Sequence, residues 1–347
     1  MALQVGLLVV ALGGVVLLAL LLLGCGDGSA PSAGDATPVG TLAFSAGGSI
    51  YTVAADGSAL REVIPGDRES MWNAAPALSP DGAAIAFVRD FDIWIASADG
   101  QDVRLLADVG NFATPTGGGA SNPSVGAQSA AWSPDGEHIA YVVARINGSG
   151  TSRIWVMRPD GSEREEIYPI GGAFLVATWL DDEQIAAYIG AYEGAGQVLV
   201  FRRTGEEEPN VLIPDEERPA LTASRTADGR WLVGPFIIEG PILYGEPGDM
   251  SQVAIGVSSA LSPDGRSFAY FLGDTLRVAS VDGTVDEQIV DLVPLGGRDR
   301  HFAEQPGCVP QHLPGCDYRP PVISWTEGDK RRDGGLELRV LNLRPAD

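Results

Sequence analysis

One turn phrase recurs along this chain and restricts its fold more than any other feature. It reads Ala77-Leu78-Ser79-Pro80-Asp81-Gly82 and, after two intervening residues, Ile85-Ala86-Phe87. It returns as Ala131-Trp132-Ser133-Pro134-Asp135-Gly136 with Ile139-Ala140-Tyr141. The third copy is Ala260-Leu261-Ser262-Pro263-Asp264-Gly265 with Phe268-Ala269-Tyr270. A self-similar strand-and-turn unit of roughly 40–50 residues points to a β-propeller.

The phrase has a local physical meaning. Pro presets φ near −65° at the first turn position. Asp bonds nearby backbone groups, and Gly takes positive φ without a Cβ clash. The expectation is a three-residue hairpin loop with a bulge at Gly, flanked by antiparallel strands. A third strand follows, as in Ile93-Trp94-Ile95-Ala96 before Asp99-Gly100 and Ile154-Trp155-Val156-Met157 before Asp160-Gly161. A weaker fourth strand such as Val103-Arg104-Leu105-Leu106 completes the unit. The predicted architecture is therefore all-β, built of four-stranded antiparallel blades. Ile85-Ala86-Phe87-Val88 and Ile139-Ala140-Tyr141-Val142-Val143 are apolar without alternation. Strands covered on both faces read this way, and each propeller blade lies between two others. A two-sheet sandwich is the alternative, but it gives no reason for the same turn to repeat in register.

Three copies are worn. Thr178-Trp179-Leu180-Asp181-Asp182-Glu183 and Thr226-Ala227-Asp228-Gly229 replace the phrase in the middle of the chain, and Ile323-Ser324-Trp325-Thr326-Glu327-Gly328 replaces it near the end. Gly40 to Ile64 supplies later strands of a blade without an inner one, and the last copy supplies an inner strand with little after it. Joining the two chain ends in one blade closes the ring and removes open edges. Six blades result, with seven still open because Leu336 to Leu343 is left over.

This Ala-[Leu/Trp]-Ser-Pro-Asp-Gly phrase resembles the WD-like repeat of TolB-type propellers, the periplasmic component of the Tol–Pal system. The resemblance covers roughly residues 40–343. It implies a propeller and leaves function open, because similar blades occur in lipoproteins and in prolyl-oligopeptidase-type enzymes. TolB has an additional amino-terminal α/β domain for which this sequence offers no segment.

Residues 5–23 carry no polar side chain and lead into Leu22-Leu23-Gly24-Cys25. This ending resembles a bacterial lipobox. It implies a signal peptide over residues 1–24, lipidation of Cys25, and a flexible Gly-, Ser- and Pro-bearing tether over 25–38. The tether's reach is on the order of 20 Å. The propeller then occupies 39–347. An uncleaved membrane helix is the other reading of the apolar run. Both place the domain outside the cytoplasmic membrane, anchored to it. Cys308 and Cys316 then remain as a pair whose disulfide would close a short loop and contribute about 2–3 kcal/mol. With His312 they offer too few ligands for a metal site, and no cofactor is expected. A net charge of −23 disfavours nucleic acid as a partner.

In a four-stranded blade the first and third connections leave from one face of the disc. The second connection and the link to the next blade leave from the other. The short Asp-Gly turns share the first face, and the long segments fall on the second, where recognition is expected. The candidate partner-binding residues there are Asn111, Phe112, Arg145, Tyr192, Arg298, Arg300, His301, Phe302, Tyr318 and Arg319. Arg298 to Phe302 forms a basic and aromatic island in an acidic chain, a composition favoured at binding hot spots.

No catalytic residue is assigned. Gly256-Val257-Ser258-Ser259-Ala260 lacks the final Gly of a nucleophile elbow and lies in an inner strand. The histidines at 138, 301 and 312 are scattered, and His138 reads as an exposed structural residue. Asp181-Asp182-Glu183 reads as a solvated turn. The expected function is a monomeric, non-catalytic binding or scaffold module for an envelope protein or extracellular ligand. The alternative is an envelope enzyme of polysaccharide lyase or hydrolase type, acting through loop residues at the channel mouth.

Overall fold

The computed structural model divides the chain into residues 1–37 and 38–347. The structure describes residues 40–66, 73–109, 125–145, 151–171, 173–190, 196–205, 210–215, 221–226, 228–235, 239–246, 248–297 and 323–326.

Successive hairpins build the molecule. Strands β1 (Thr41–Ala46), β2 (Ser49–Ala54) and β3 (Arg61–Ile64) pair antiparallel in order. Strands β4 (Asn73–Leu78), β5 (Ala84–Arg89), β6 (Asp92–Ser97) and β7 (Arg104–Ala107) form the next sheet. Strands β8 (Val125–Trp132), β9 (Ile139–Arg145), β10 (Thr151–Met157) and β11 (Glu165–Gly171) form another. Strands β12 (Ala173–Trp179), β13 (Gln184–Gly190), β14 (Gly196–Arg202) and β15 (Asn210–Asp215) follow. A seven-stranded sheet contains β16 (Leu221–Arg225), β17 (Trp231–Pro235), β18 (Gly240–Glu246), β19 (Asp249–Leu261), β20 (Ser267–Leu272), β21 (Thr275–Ser280) and β22 (Asp286–Asp291). The last strand, β23 (Ile323–Thr326), pairs with β1, so the two ends of the domain share one sheet as expected.

Six separate four-stranded blades are not what the sheets show. Four stand separately with four strands each, and the other strands make the sheet of seven. The physical reason is β19. It pairs with β18 up to Gly256 and with β20 from Val257, with no loop between the two ladders. The expected extra strand at 336–343 lies outside the described residues.

The first strands touch in sequence: β4 against β8, β8 against β12, β12 against β16, and β16 against β19. The circuit returns through β19 against β23 and β23 against β4. The apolar runs explain themselves here, because alternate residues of one strand enter different cores. Ile85 and Phe87 of β5 pack with Ala43, Ile50, Val63 and Ile64 of the preceding sheet. Ala86 and Val88 pack with Ala127, Trp132 and Tyr141 of the following one. In β9, Tyr141 joins that second cluster, while Ala140 and Val142 join Trp179 and Ile185.

The turns correct one expectation. In the intact phrase Gly82 N–H donates to Ser79 O, but the loop closes with Ser79 N–H on Ala84 O, one residue wider than predicted. The Ser79 hydroxyl is the cause. It donates to Asp81 Oδ1 at 2.5 Å and accepts from Ala84 N–H at 2.9 Å. Ser133 with Asp135 and Ser262 with Asp264 repeat the arrangement. The three-residue loop occurs instead at the third connections, where Ala54, Ser97 and Arg158 N–H donate to Ser58, Gln101 and Ser162 O.

Candidate functional site

The antiparallel topology fixes two faces. First and third connections attach at one end of the four-stranded sheets, and second connections and links attach at the other. The strand ends that border 110–124, 146–150 and 191–195 all lie at the second end. The candidate residues Asn111, Phe112, Tyr192, Arg298, Arg300, His301, Phe302, Tyr318 and Arg319 lie outside the described residues, as do Cys25, Cys308 and Cys316. Arg145 is the last residue of β9, its backbone paired with Val125.

On the tight-turn face the polar side chains are occupied by their own turns. Asp56 and Asp99 are held below the usual carboxylate range, chiefly by hydroxyl hydrogen bonds from Ser58 and Ser97. The Ser280 and Thr284 hydroxyls and the Thr284 N–H bring Asp282 down to about 2. Thr226 replaces Ser in its worn copy and keeps the chemistry, with its hydroxyl on Asp228 and on Arg230 N–H. Arg230 and this hydroxyl lower Asp228 to about 2. The Asp181 turn is more than a solvated one. Asp181 Oδ1 accepts from Glu183 and Gln184 N–H, and Asp182 Oδ1 accepts from Asp135 N–H of the preceding sheet.

The inner strands are tied to each other by Trp and small hydroxyls. Trp132 Nε1–H donates to Ala77 O and Trp179 Nε1–H donates to Ala131 O, each at 3.0 Å across a sheet boundary. In the next copy Arg225 takes the Trp position. It lies over Trp231 and pairs with Asp181 at 3.5 Å. Ser324 Oγ accepts from Leu78 N–H, Thr222 Oγ1 meets Ser259 Oγ at 3.3 Å, and Ser129 Oγ accepts from Ala177 N–H. Their sequence trace is the small polar residues ahead of the second and third phrases, in Gln128-Ser129 and Ser258-Ser259. The Ser129 and Ser324 hydroxyls are engaged in joining sheets, and the Thr222–Ser259 contact ties two strands of the seven-stranded sheet.

The second face holds one arrangement that sequence reading missed. Arg89 ends β5 opposite Asn73, the first residue of β4. Its Nε–H donates to Asn73 Oδ1 at 2.7 Å. Asn73 is fully buried, and its Nδ2 donates to Gly48 O and Pro65 O. The guanidinium lies 5.1 Å from the ring centre of Phe87 and 5.0 Å from that of Trp94. Half-burial lowers the Arg89 pKa from its ordinary value, opposed by the nearby Asp90 charge. The adjoining β5–β6 turn puts Asp90 and Phe91 at φ 50° and 70°. Phe91 O accepts from Ala127 N–H at 2.7 Å. The only forewarning in sequence was an Arg closing an apolar strand.

The closed circuit of antiparallel sheets makes the protein a β-propeller. Residues 44–173 match the family described as the dipeptidyl peptidase IV (DPP IV) N-terminal region. Over 152 residues the chain is 26% identical to a protein TolB homolog of Chlorobium luteolum, a match taking in 44% of this chain and 31% of that protein. TolB from Acinetobacter baumannii superposes with a TM-score of 0.53 at 16% identity, over 71% of this chain and 62% of its own. A chain of a nidogen/laminin complex superposes at 0.56 and 12% identity, over 82% of this chain and 97% of its own. The fold is a β-propeller similar to that of TolB, and the matches span less than two thirds of either TolB relative.

Proposed function

We propose that the protein is a non-catalytic binding or scaffold module of six blades, the seven-stranded sheet counting as two that share β19. In this reading it is held outside the cytoplasmic membrane through lipidated Cys25 and the tether 25–38. It recognises an envelope protein or an extracellular ligand through its second face. The observation that carries the reading is the division of labour between the faces. The Ser, Thr and Asp side chains of the tight turns are spent on turn geometry, while the second-face strand ends border the long segments. Loops on a rigid scaffold are the usual seat of recognition. The superposed chain from the nidogen/laminin complex lends support, since that propeller-like shape is found in a protein assembly. A Cys308–Cys316 disulfide would brace the loop that presents Arg298, Arg300, His301 and Phe302.

The test is capture from envelope extract with the full chain and with the double variant Arg300→Ala, Phe302→Ala. A partner retained by the first and lost by the second is the expected result. Equal recovery would move recognition away from this loop. The match of residues 44–173 to the N-terminal region of a peptidase favours a second reading, an envelope enzyme, whose acting residues would be His301, Glu304, Tyr318 and Arg319 outside the matched segment. Turnover of peptide or uronate polymers that His301→Ala abolishes would select it.

A further inference from the structure

We propose that Arg89 is an anchoring site for a carboxylate, presented at the seam between the first two sheets. The cation is built into position. Asn73 orients Nε, the guanidinium lies over Phe87 and Trp94, and Asn73 is itself locked by two backbone carbonyls. A guanidinium fixed through Nε keeps the paired Nη donors whose fork matches a carboxylate in two parallel hydrogen bonds. Among the described residues no carboxylate lies within salt-bridge distance of Arg89, and Asp90 acts on it only through its field. Arg153, Arg158, Arg202, Arg225, Arg230 and Arg277, by contrast, pair with acids. In a chain of net charge −23, Arg89 is a half-buried cation without a carboxylate partner among the described residues.

Aromatic contact and partial desolvation strengthen what such a cation can give to an incoming anion. The Trp94 indole N–H is buried without an acceptor beside the same seam, and so reports on any change there. The Phe91 backbone at φ 70° is a costly conformation for a bulky residue, and it lies two residues from Arg89. The net negative field disfavours polyanions, so the fitting ligand carries a single carboxylate, as an acidic side chain or chain terminus does. This deepens the binding-module reading and rests on it only for the carboxylate belonging to a partner.

The site can be tested without the partner. Full chain labelled with ¹⁵N, in detergent micelles, is titrated with sodium acetate against sodium chloride at matched ionic strength. The expected result is saturable movement of the Arg89 Nε–H and Trp94 Nε1–H signals with acetate alone. Arg89→Lys keeps the charge and loses the fork, and weakens the acetate response at Trp94 by about tenfold or more. Equal movement with acetate and chloride overturns the proposal, and so does a response to inorganic phosphate without one to acetate. Should Arg89→Lys fail to fold, the wild-type titration still decides, with Trp94→Phe assigning the indole signal. A positive titration alongside failed capture from extract would reject the partner reading and keep the site.

Discussion

His138 follows the second intact turn, and its surroundings oppose a positive charge. Its Nδ1 is buried without a partner and its ring lies 6.2 Å from that of Trp179. Burial is the largest influence lowering its pKa, and Arg203 and Arg158 add to it against Asp135 and Glu137. The folded state therefore takes up this proton later than the unfolded chain does. Unfolded His titrates near 6.5, so stability is complete above that pH and declines as pH falls through it towards the folded value. Denaturant unfolding between pH 7.5 and 5 should show the loss, with a slope well below one proton's about 1.4 kcal/mol per pH unit because the ring is partly exposed. His138→Gln should flatten the curve across this window. An unchanged curve would mean that His138 is not the group responsible. At this scale the sequence was legible where chemistry is local. Ser-x-Asp turns announce themselves, whereas the half-burial of His138 depends on Trp179, which belongs to another sheet.

The elements meet through their glycines. At the third connections Gly100, Gly161 and Gly205 have positive φ and press against the backbone of the preceding sheet's outer strand. A Cβ on Gly100 would collide with Val63 O, and one on Gly161 would stand 2.9 Å from Leu106 O. Gly283 shares the positive φ but has open space around it. Both Gly100→Ala and Gly283→Ala incur the left-handed backbone cost of about 1–2 kcal/mol. Only Gly100→Ala must also push neighbouring sheets away from each other, and an added loss of about 2 kcal/mol or more is expected in urea unfolding. Equal losses for the two variants would show that the turns do not brace the sheets. Asp-Gly at these positions was readable as a turn. Its second duty, close approach to another sheet, was not, because nothing in a local window names the neighbour. The worn copies behave the same way. Arg225 stands where the intact copy has Trp132, and it meets Asp181, which itself stands where the neighbouring copy lost its Ser-Pro.

For the whole molecule the decisive contact is the one that joins its ends. Strand β23 pairs through Ile323–Thr326 with Thr41–Phe44 of β1, and nothing covalent closes the circuit among the described residues. The ring was inferable from an inner strand stranded at one end of the sequence and its missing companions at the other. The merging of two ladders in β19 was not, since no residue near Gly256 signals the loss of a loop. Trp325 is fully buried within the largest apolar cluster, together with Leu42, Phe44 and residues of β19 and β20. Gly40 approaches it so closely that a Cβ there would be 2.6 Å from its Nε1. Gly57, in the turn after β2, rests on Ile289 of β22, and Gly47 lies against Leu295 O, so the same seam is fastened at both faces. Trp325→Ala empties the centre of that seam and should cost about 3–5 kcal/mol. If β23 is a latch, amide hydrogen exchange in this variant should accelerate first in β1 and in β19, which flank it, and later in β9 and β13 across the ring. Uniform acceleration everywhere would instead make the propeller one cooperative unit, in which the joined ends carry no more of its integrity than any other boundary between sheets.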